Sequence, residues 1–185
     1  AMANTFLHAT GLKVGKSKIE PDDLPLAKEI MHRVSEVKKE RDFVFYLPQD
    51  GVVAKELDAT APTRIVDWSA HVIADIEAFP KRPVHEASQV AEDEMILDIG
   101  DVAIMRMPMW VGKAKTIVWS GVIGYVELPY FSEGTKALTR HLAELTSAGK
   151  AKVYVGGGDT ADFLYKFYDD PLQHFEYIST GGSAF

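Results

Sequence analysis

Short apolar runs alternate with amphipathic stretches along this chain. The runs are Phe43 to Leu47, Met95 to Ile99 before Gly100, Thr116 to Trp119 before Gly121, and Lys152 to Val155 before Gly156. Continuous apolar runs of this length suit strands buried on both faces, and their alternation with helical patterns predicts a parallel sheet with crossover helices. The expected class is therefore α/β. The clearest helix is predicted from Glu133 to Ala148, where Ala137, Leu138, His141, Leu142 and Leu145 fall on one face and Gly149 supplies the stop. A second starts near Pro21, with Asp22 and Asp23 in its first turn, and runs into a charged, solvated stretch around Val37 to Arg41. Between Lys55 and Glu94 the pattern loosens around Pro62, Pro80 and Pro83, with a strand expected at Arg64 to Val66 and a short helix at Val72 to Phe79. This stretch reads as an excursion within one domain, because it is not Gly/Ser-rich and its flanks resemble strands of one sheet.

Composition narrows the chemistry. At 185 residues the chain can bury about 70% of its unfolded surface without covalent staples. It has no cysteine, which removes thiol catalysis, disulfide scaffolds, zinc ribbons and iron–sulfur clusters together. Any metal must take oxygen or imidazole ligands. With 20 Lys+Arg against 27 Asp+Glu the net charge is −7, which disfavours a nonspecific grip on nucleic acid or an anionic membrane. No apolar window reaches the length of a membrane span, so a soluble protein is expected. The six His show no paired metal spacing and read as packing residues.

Three glycine-rich turns are the candidate chemistry. In Val153-Tyr154-Val155-Gly156-Gly157-Gly158-Asp159-Thr160 the glycines let the backbone approach a ligand, and the helix expected next offers unpaired amides and a positive dipole end. Asp159 would repel a phosphate unless a cation lies between them, which points to a Mg²⁺ carboxylate with Thr160 capping the helix or touching phosphate. The alternative is a plain strand-to-helix turn with Asp159 as N-cap. Ser179-Thr180-Gly181-Gly182-Ser183 reads either as a second amide-lined turn or as a polar terminus. Trp119-Ser120-Gly121 with Gly124 and Glu127 is the third, Glu127 being a candidate ribose acceptor or an exposed Glu opening a helix. Ligands of open parallel sheets sit beyond the strands' carboxyl ends, so these turns are expected to share one crevice.

Taken jointly, the segments resemble the C-terminal, nucleotide-binding half of phosphoglycerate kinase. The matching stretches are Met2 to Leu7, Gly11 with Val14 to Ser17, Leu97 to Gly100, Trp119 to Gly121 with Gly124 and Glu127, Phe131 with Gly134 to Leu138, Gly156 to Thr160, and Ser179 to Gly182. The resemblance implies a Rossmann-like three-layer sandwich with a mainly parallel sheet, formed by residues 1–185 as a single domain incomplete at both ends. It implies a glycolytic kinase that moves a phosphoryl group reversibly between 1,3-bisphosphoglycerate and Mg-ADP, in the cytoplasm. Under it, Gly157, Gly158 and Asp159 match the phosphate and magnesium turn, with Asp159 the metal ligand. Glu127 matches the residue that holds the ribose. Leu97 and Gly124 match positions near the adenine, and Ser120 stands in the nucleotide turn. Thr180, Gly181 and Gly182 match the helix start facing the transferring phosphoryl group, so Gly158 and Gly182 are the expected catalytic positions and Thr160 completes the nucleotide set. Mg²⁺ with ATP or ADP is the implied cofactor.

The departures also have consequences. The family pattern has Asn at Ser120, Pro at Val122, Gly at Ser183, Pro at Asp101 and Gly at Ile96, and a branched Ile96 is expected to reshape the base pocket. The family's two nucleotide-binding lysines, and the N-terminal domain that holds 3-phosphoglycerate, are expected upstream of Ala1, and Lys13, Lys16 and Lys18 do not replace them. The chain by itself, expected to be monomeric, is therefore expected to bind nucleotide at most weakly and not to turn over. The alternative is a non-catalytic binding module that keeps the fold and has lost useful nucleotide affinity.

Overall fold

The computed structural model describes residues 1–69 and 89–181, so the helix expected at Val72 to Phe79, and Gly182 and Ser183, lie outside the described residues. The helices are α1 (Met2–Ala9), α2 (Leu24–Glu40), α3 (Asp101–Val111), α4 (Glu133–Ser147) and α5 (Gly158–Phe167). The strands are β1 (Asp50–Ala54), β2 (Thr63–Asp67), β3 (Met95–Ile99), β4 (Thr116–Ser120), β5 (Lys152–Gly156) and β6 (Tyr177–Ser179). Short 3₁₀ turns occur at Pro21–Asp23, Pro129–Phe131 and Pro171–Gln173. The chain forms two compact units, Ala1–Ala103 and Ile104–Phe185. Among the described residues no helix is long and apolar enough to cross a membrane.

The fold is mixed α/β with a parallel sheet, as the alternation of runs predicts, and that sheet belongs to the second unit. Its order is β4-β5-β6. The strands are parallel, and α4 and α5 make the crossovers between them. Trp119, Val153, Val155, Leu142 of α4, Leu164 of α5 and Phe175 form its core. The buried face of α4 is turned from the expected one: Gly134, Thr135, Thr139, Leu142, Ala143 and Leu145 are buried, whereas Ala137, Leu138 and His141 are only half-buried. An apolarity count passes over a helix face that buries threonines.

In the first unit the sheet is antiparallel, order β2-β1-β3, so the Met95–Ile99 strand does not join the parallel sheet. Antiparallel pairing tolerates a wet face, and β2 shows one: Ile65 is exposed while Val66 is fully buried. The Phe43 to Leu47 run forms no strand. Part of it is used all the same: Leu47 is buried in the core with Leu7, Leu12, Val14, Val53, Val66, Trp68 and Val90, and Phe45 packs edge-on to Phe6 at 5.1 Å, while Phe43 and Val44 are exposed. β1 escapes the hydrophobic pattern because it begins Asp50-Gly51, two residue types depleted in strands. Gly51 is required there, since a Cβ would stand 2.5 Å from the Trp68 indole. Trp68 Nε1 donates to the Pro48 carbonyl at 2.7 Å, which satisfies the polar end of a ring that is 1% exposed.

Two carboxylates organise this unit. Asp50, 1% exposed, accepts from the Val102 and Ala103 N–H groups at 2.9 and 2.8 Å and thereby caps the first turn of α3. Burial pushes its carboxyl above the ordinary range; the two amide bonds pull the other way, and nearby Asp67 and Asp101 push it further up. Glu94 accepts from Arg64 through Nε at 2.8 Å and Nη2 at 2.6 Å, and from the Ala91 N–H at 2.9 Å. The Arg64 bonds hold its carboxyl below the ordinary range. Ile96, the branched residue at a family glycine position, is half-buried and packs against the core of this unit.

Candidate functional site

Parallel register places the ends of the second sheet side by side. Ser120 pairs with Gly156, and Gly156 pairs with Ser179, so the carboxyl ends of β4, β5 and β6 form one row. Glycine turns follow β4 and β5, and Thr180 and Gly181 follow β6. After β4, Gly121 and Gly124 take φ of 99° and 78°, and after β5 Gly157 takes 96°, conformations that side chains rarely adopt. The three turns approach one another closely. A Cβ placed on Gly157 would stand 3.7 Å from Thr160 Oγ1 and 3.9 Å from Ser120 Oγ, and one placed on Gly158 would stand 3.9 Å from the Thr180 carbonyl oxygen.

The expected site residues divide into groups. Ser120, Gly157, Gly158, Thr160 and Thr180 are brought together at the row of strand ends. Gly181 follows, its N–H donating to Ser179 Oγ at 3.3 Å. Gly124 and the exposed Glu127 lie on the loop after β4, and Glu127 occupies a turn ahead of the Pro129–Phe131 3₁₀ segment, so it does not open a helix. Leu97 belongs to the first unit. There it is the extra residue of a β-bulge, because Val52 faces Asp98 while the next residue, Val53, faces Ile96. Gly182 lies outside the described residues.

The start of α5 is built to leave amides available. Its N-cap is Gly157, with no side chain bonded across the cap, so Asp159 is not the N-cap. Ala161 N–H is the first to donate back, to the Gly157 carbonyl at 3.0 Å, which leaves the N–H groups of Gly158, Asp159 and Thr160 without an intrahelical acceptor. Asp159 is exposed in that first turn, and among the described residues no ion pair engages it. The fully buried Thr160 hydroxyl accepts the Gly121 N–H at 2.9 Å, which ties the start of α5 to the turn after β4.

Sequence reading overlooked the residues that hold the loop. Trp119 Nε1 donates to the Gly121 carbonyl at 2.7 Å. Thr135 Oγ1, on α4, accepts the Ile123 N–H at 2.8 Å and donates to the Ile123 carbonyl. The available signal was the polar Thr135 beside Gly134 at the start of an otherwise amphipathic helix. Among the described residues no group of three or more His, Asp or Glu side chains gathers to hold a metal by itself. A lone exposed carboxylate fits a different coordination habit, that of Mg²⁺ bound through one carboxylate and the phosphates of its ligand.

The family model described as phosphoglycerate kinase matches residues 1–185. The chain belongs to the phosphoglycerate kinase family. It is 39% identical over 184 residues to phosphoglycerate kinase of Agrobacterium fabrum, covering 100% of this chain and 40% of the relative. It is 38% identical over 184 residues to phosphoglycerate kinase of Rhodospirillum centenum, with the same coverage of 100% and 40%. Among solved structures, phosphoglycerate kinase from Coxiella burnetii aligns with a TM-score of 0.77 at 32% identity, over 99% of this chain and 40% of that one. Phosphoglycerate kinase from Pyrococcus horikoshii aligns with a TM-score of 0.65 at 22% identity, covering 97% of this chain and 38% of that one, a likeness of fold. The chain thus spans about 40% of the length of the curated phosphoglycerate kinases it matches.

Proposed function

We propose that residues 1–185 form the ATP/ADP-binding domain of a glycolytic phosphoglycerate kinase working in the cytoplasm. The single observation that carries this reading is the row Ser120, Gly156, Ser179, with a glycine turn after β4 and after β5 and Thr180-Gly181 after β6. Family membership adds the reaction. The P–O bond of the acyl phosphate of 1,3-bisphosphoglycerate breaks and a P–O bond to the terminal phosphate of ADP forms, giving 3-phosphoglycerate and ATP. In this reading the N–H groups of Gly158, Asp159 and Thr160 cradle nucleotide phosphate, and Thr180, Gly181 and Gly182 serve the phosphoryl group in transit. Fixed dipoles of this kind stabilise the charge of a phosphoryl transition state without reorganising. Glu127 accepts from the ribose, while Gly124 borders the adenine and Ser120 the nucleotide turn. Asp159 would hold Mg²⁺, which when bound neutralises phosphate charge, a need made acute by the chain's net charge of −7.

Binding of 3-phosphoglycerate is assigned to the part of a phosphoglycerate kinase that this chain does not span, so residues 1–185 alone bind Mg-ADP weakly, as a monomer, and do not turn over. Calorimetric titration with Mg-ADP tests this. Millimolar or tighter binding that Asp159→Ala abolishes is expected. Phosphorylation of 3-phosphoglycerate by the purified chain would refute the division of labour. A folded chain that gives no heat would replace the reading with a binding module that keeps only the fold.

A further inference from the structure

We propose that Thr135 is a positioning residue for the loop after β4: its hydroxyl sets the conformation of the Gly121–Gly124 turn and so the placing of Glu127. The proposal rests on the reading of this site as one for a nucleotide. The turn contains two glycines at positive φ, and a glycine segment left to itself samples many conformations. Here it is held at defined points. Trp119 Nε1 takes the Gly121 carbonyl and Thr160 Oγ1 takes the Gly121 N–H, so the near end is fixed from β4 and α5. The far end is fixed from α4 by Thr135, which satisfies both the N–H and the carbonyl of Ile123 with one hydroxyl.

The other threonines of α4 show that this is not ordinary helix chemistry. Thr139 Oγ1 donates to the Thr135 carbonyl at 2.8 Å and Thr146 Oγ1 to the Leu142 carbonyl at 3.1 Å, each bonding its own helix four residues back. Thr135 reaches out of its helix instead. It is fully buried, so its hydroxyl cannot exchange Ile123 for water. A loop fixed before the ligand arrives avoids the entropy of ordering it on binding.

The test uses the full chain carrying Thr135→Val, Thr135→Ser or Thr139→Val, with two readouts. Hydrogen exchange without nucleotide is expected to quicken about tenfold at the Ile123 amide in Thr135→Val, the loss of one hydrogen bond, and to stay near the parent rate in Thr135→Ser and Thr139→Val. Mg-ADP affinity is expected to fall about tenfold in Thr135→Val only. Should the Val variant not fold, the Ser against Ala pair at position 135 makes the same comparison. Unchanged exchange at Ile123 in Thr135→Val, or an equal loss of affinity in Thr139→Val, overturns the proposal. If the parent chain binds no Mg-ADP, the nucleotide reading fails, while the exchange data still decide whether Thr135 sets the turn.

Discussion

The two units solve one problem, holding a turn of backbone in place, with different chemistry. In the first, buried carboxylates do it: Asp50 caps α3, and Glu94 is clamped between Arg64 and the Ala91 N–H. In the second, neutral groups do it: the Thr135 and Thr160 hydroxyls and the Trp119 indole fix the loop after β4. The contrast suits an anion site. Supporting carboxylates beside a polyphosphate would repel it and would titrate with it, whereas hydroxyls leave the field to the backbone amides and Asp159.

The largest effect should come from cutting the first unit's core. Trp68→Ala removes a ring that covers Gly51 and leaves the Pro48 carbonyl without its donor, and a loss of about 3–5 kcal/mol in urea unfolding is expected. A loss below about 1 kcal/mol would show that the ring is not the centre of that core. Next, Arg64→Met strips Glu94 of its charged partner and should cost about 1.5–3 kcal/mol at neutral pH. Because the folded Glu94 carboxyl sits below its ordinary 4.5, its contribution is complete above that value and is lost as pH falls through the depressed one. The variant should therefore flatten the acid limb of the stability curve, and a parallel curve would contradict the clamp.

Asp50 has the opposite sign and a smaller effect. Its folded pKa is raised above the ordinary 3.8, so its contribution is complete below that value and is lost as pH rises through the raised one. Asp50→Asn should remove that decline and cost about 1 kcal/mol through the exchange of one acceptor oxygen for an amide donor. Stability of Asp50→Asn that still falls over the same window would assign the decline to another group. These opposed slopes sharpen the comparison, since substitutions at the second unit's hydroxyls should shift stability without changing its pH dependence.

Much of the second unit was legible in the sequence because its signals coincide. The run Thr116 to Trp119 and the run Lys152 to Val155 are apolar, end in glycine and precede helices, and they became β4 and β5 almost to the residue. The first unit was less legible. Phe43 to Leu47 has the apolarity of a strand, but apolarity alone fixes neither pairing nor burial: Leu47 is buried and Phe45 half-buried, Phe43 and Val44 are exposed, and the run joins no ladder. β1 hides behind Asp50 and Gly51, whose presence makes sense only once Trp68 and the amides of Val102 and Ala103 are in place. For the site, the glycine turns and Asp159 could be named from composition and helix-terminus physics. Thr160 was assigned to the ligand because a hydroxyl beside a phosphate turn invites it. That the hydroxyl also holds Gly121 depends on a partner 39 residues away, as the Thr135 bond depends on one 12 away, and local pattern does not encode either.

The central claim is that the turns after β4, β5 and β6 form one nucleotide site. Amide-resolved NMR of the chain titrated with Mg-ADP tests it most directly. Shifts at Gly121 to Glu127, at Gly157 to Thr160 and at Thr180 and Gly181, rising together along one saturation curve, are the predicted result. Saturable binding that leaves the Gly157 to Thr160 amides unmoved would contradict it.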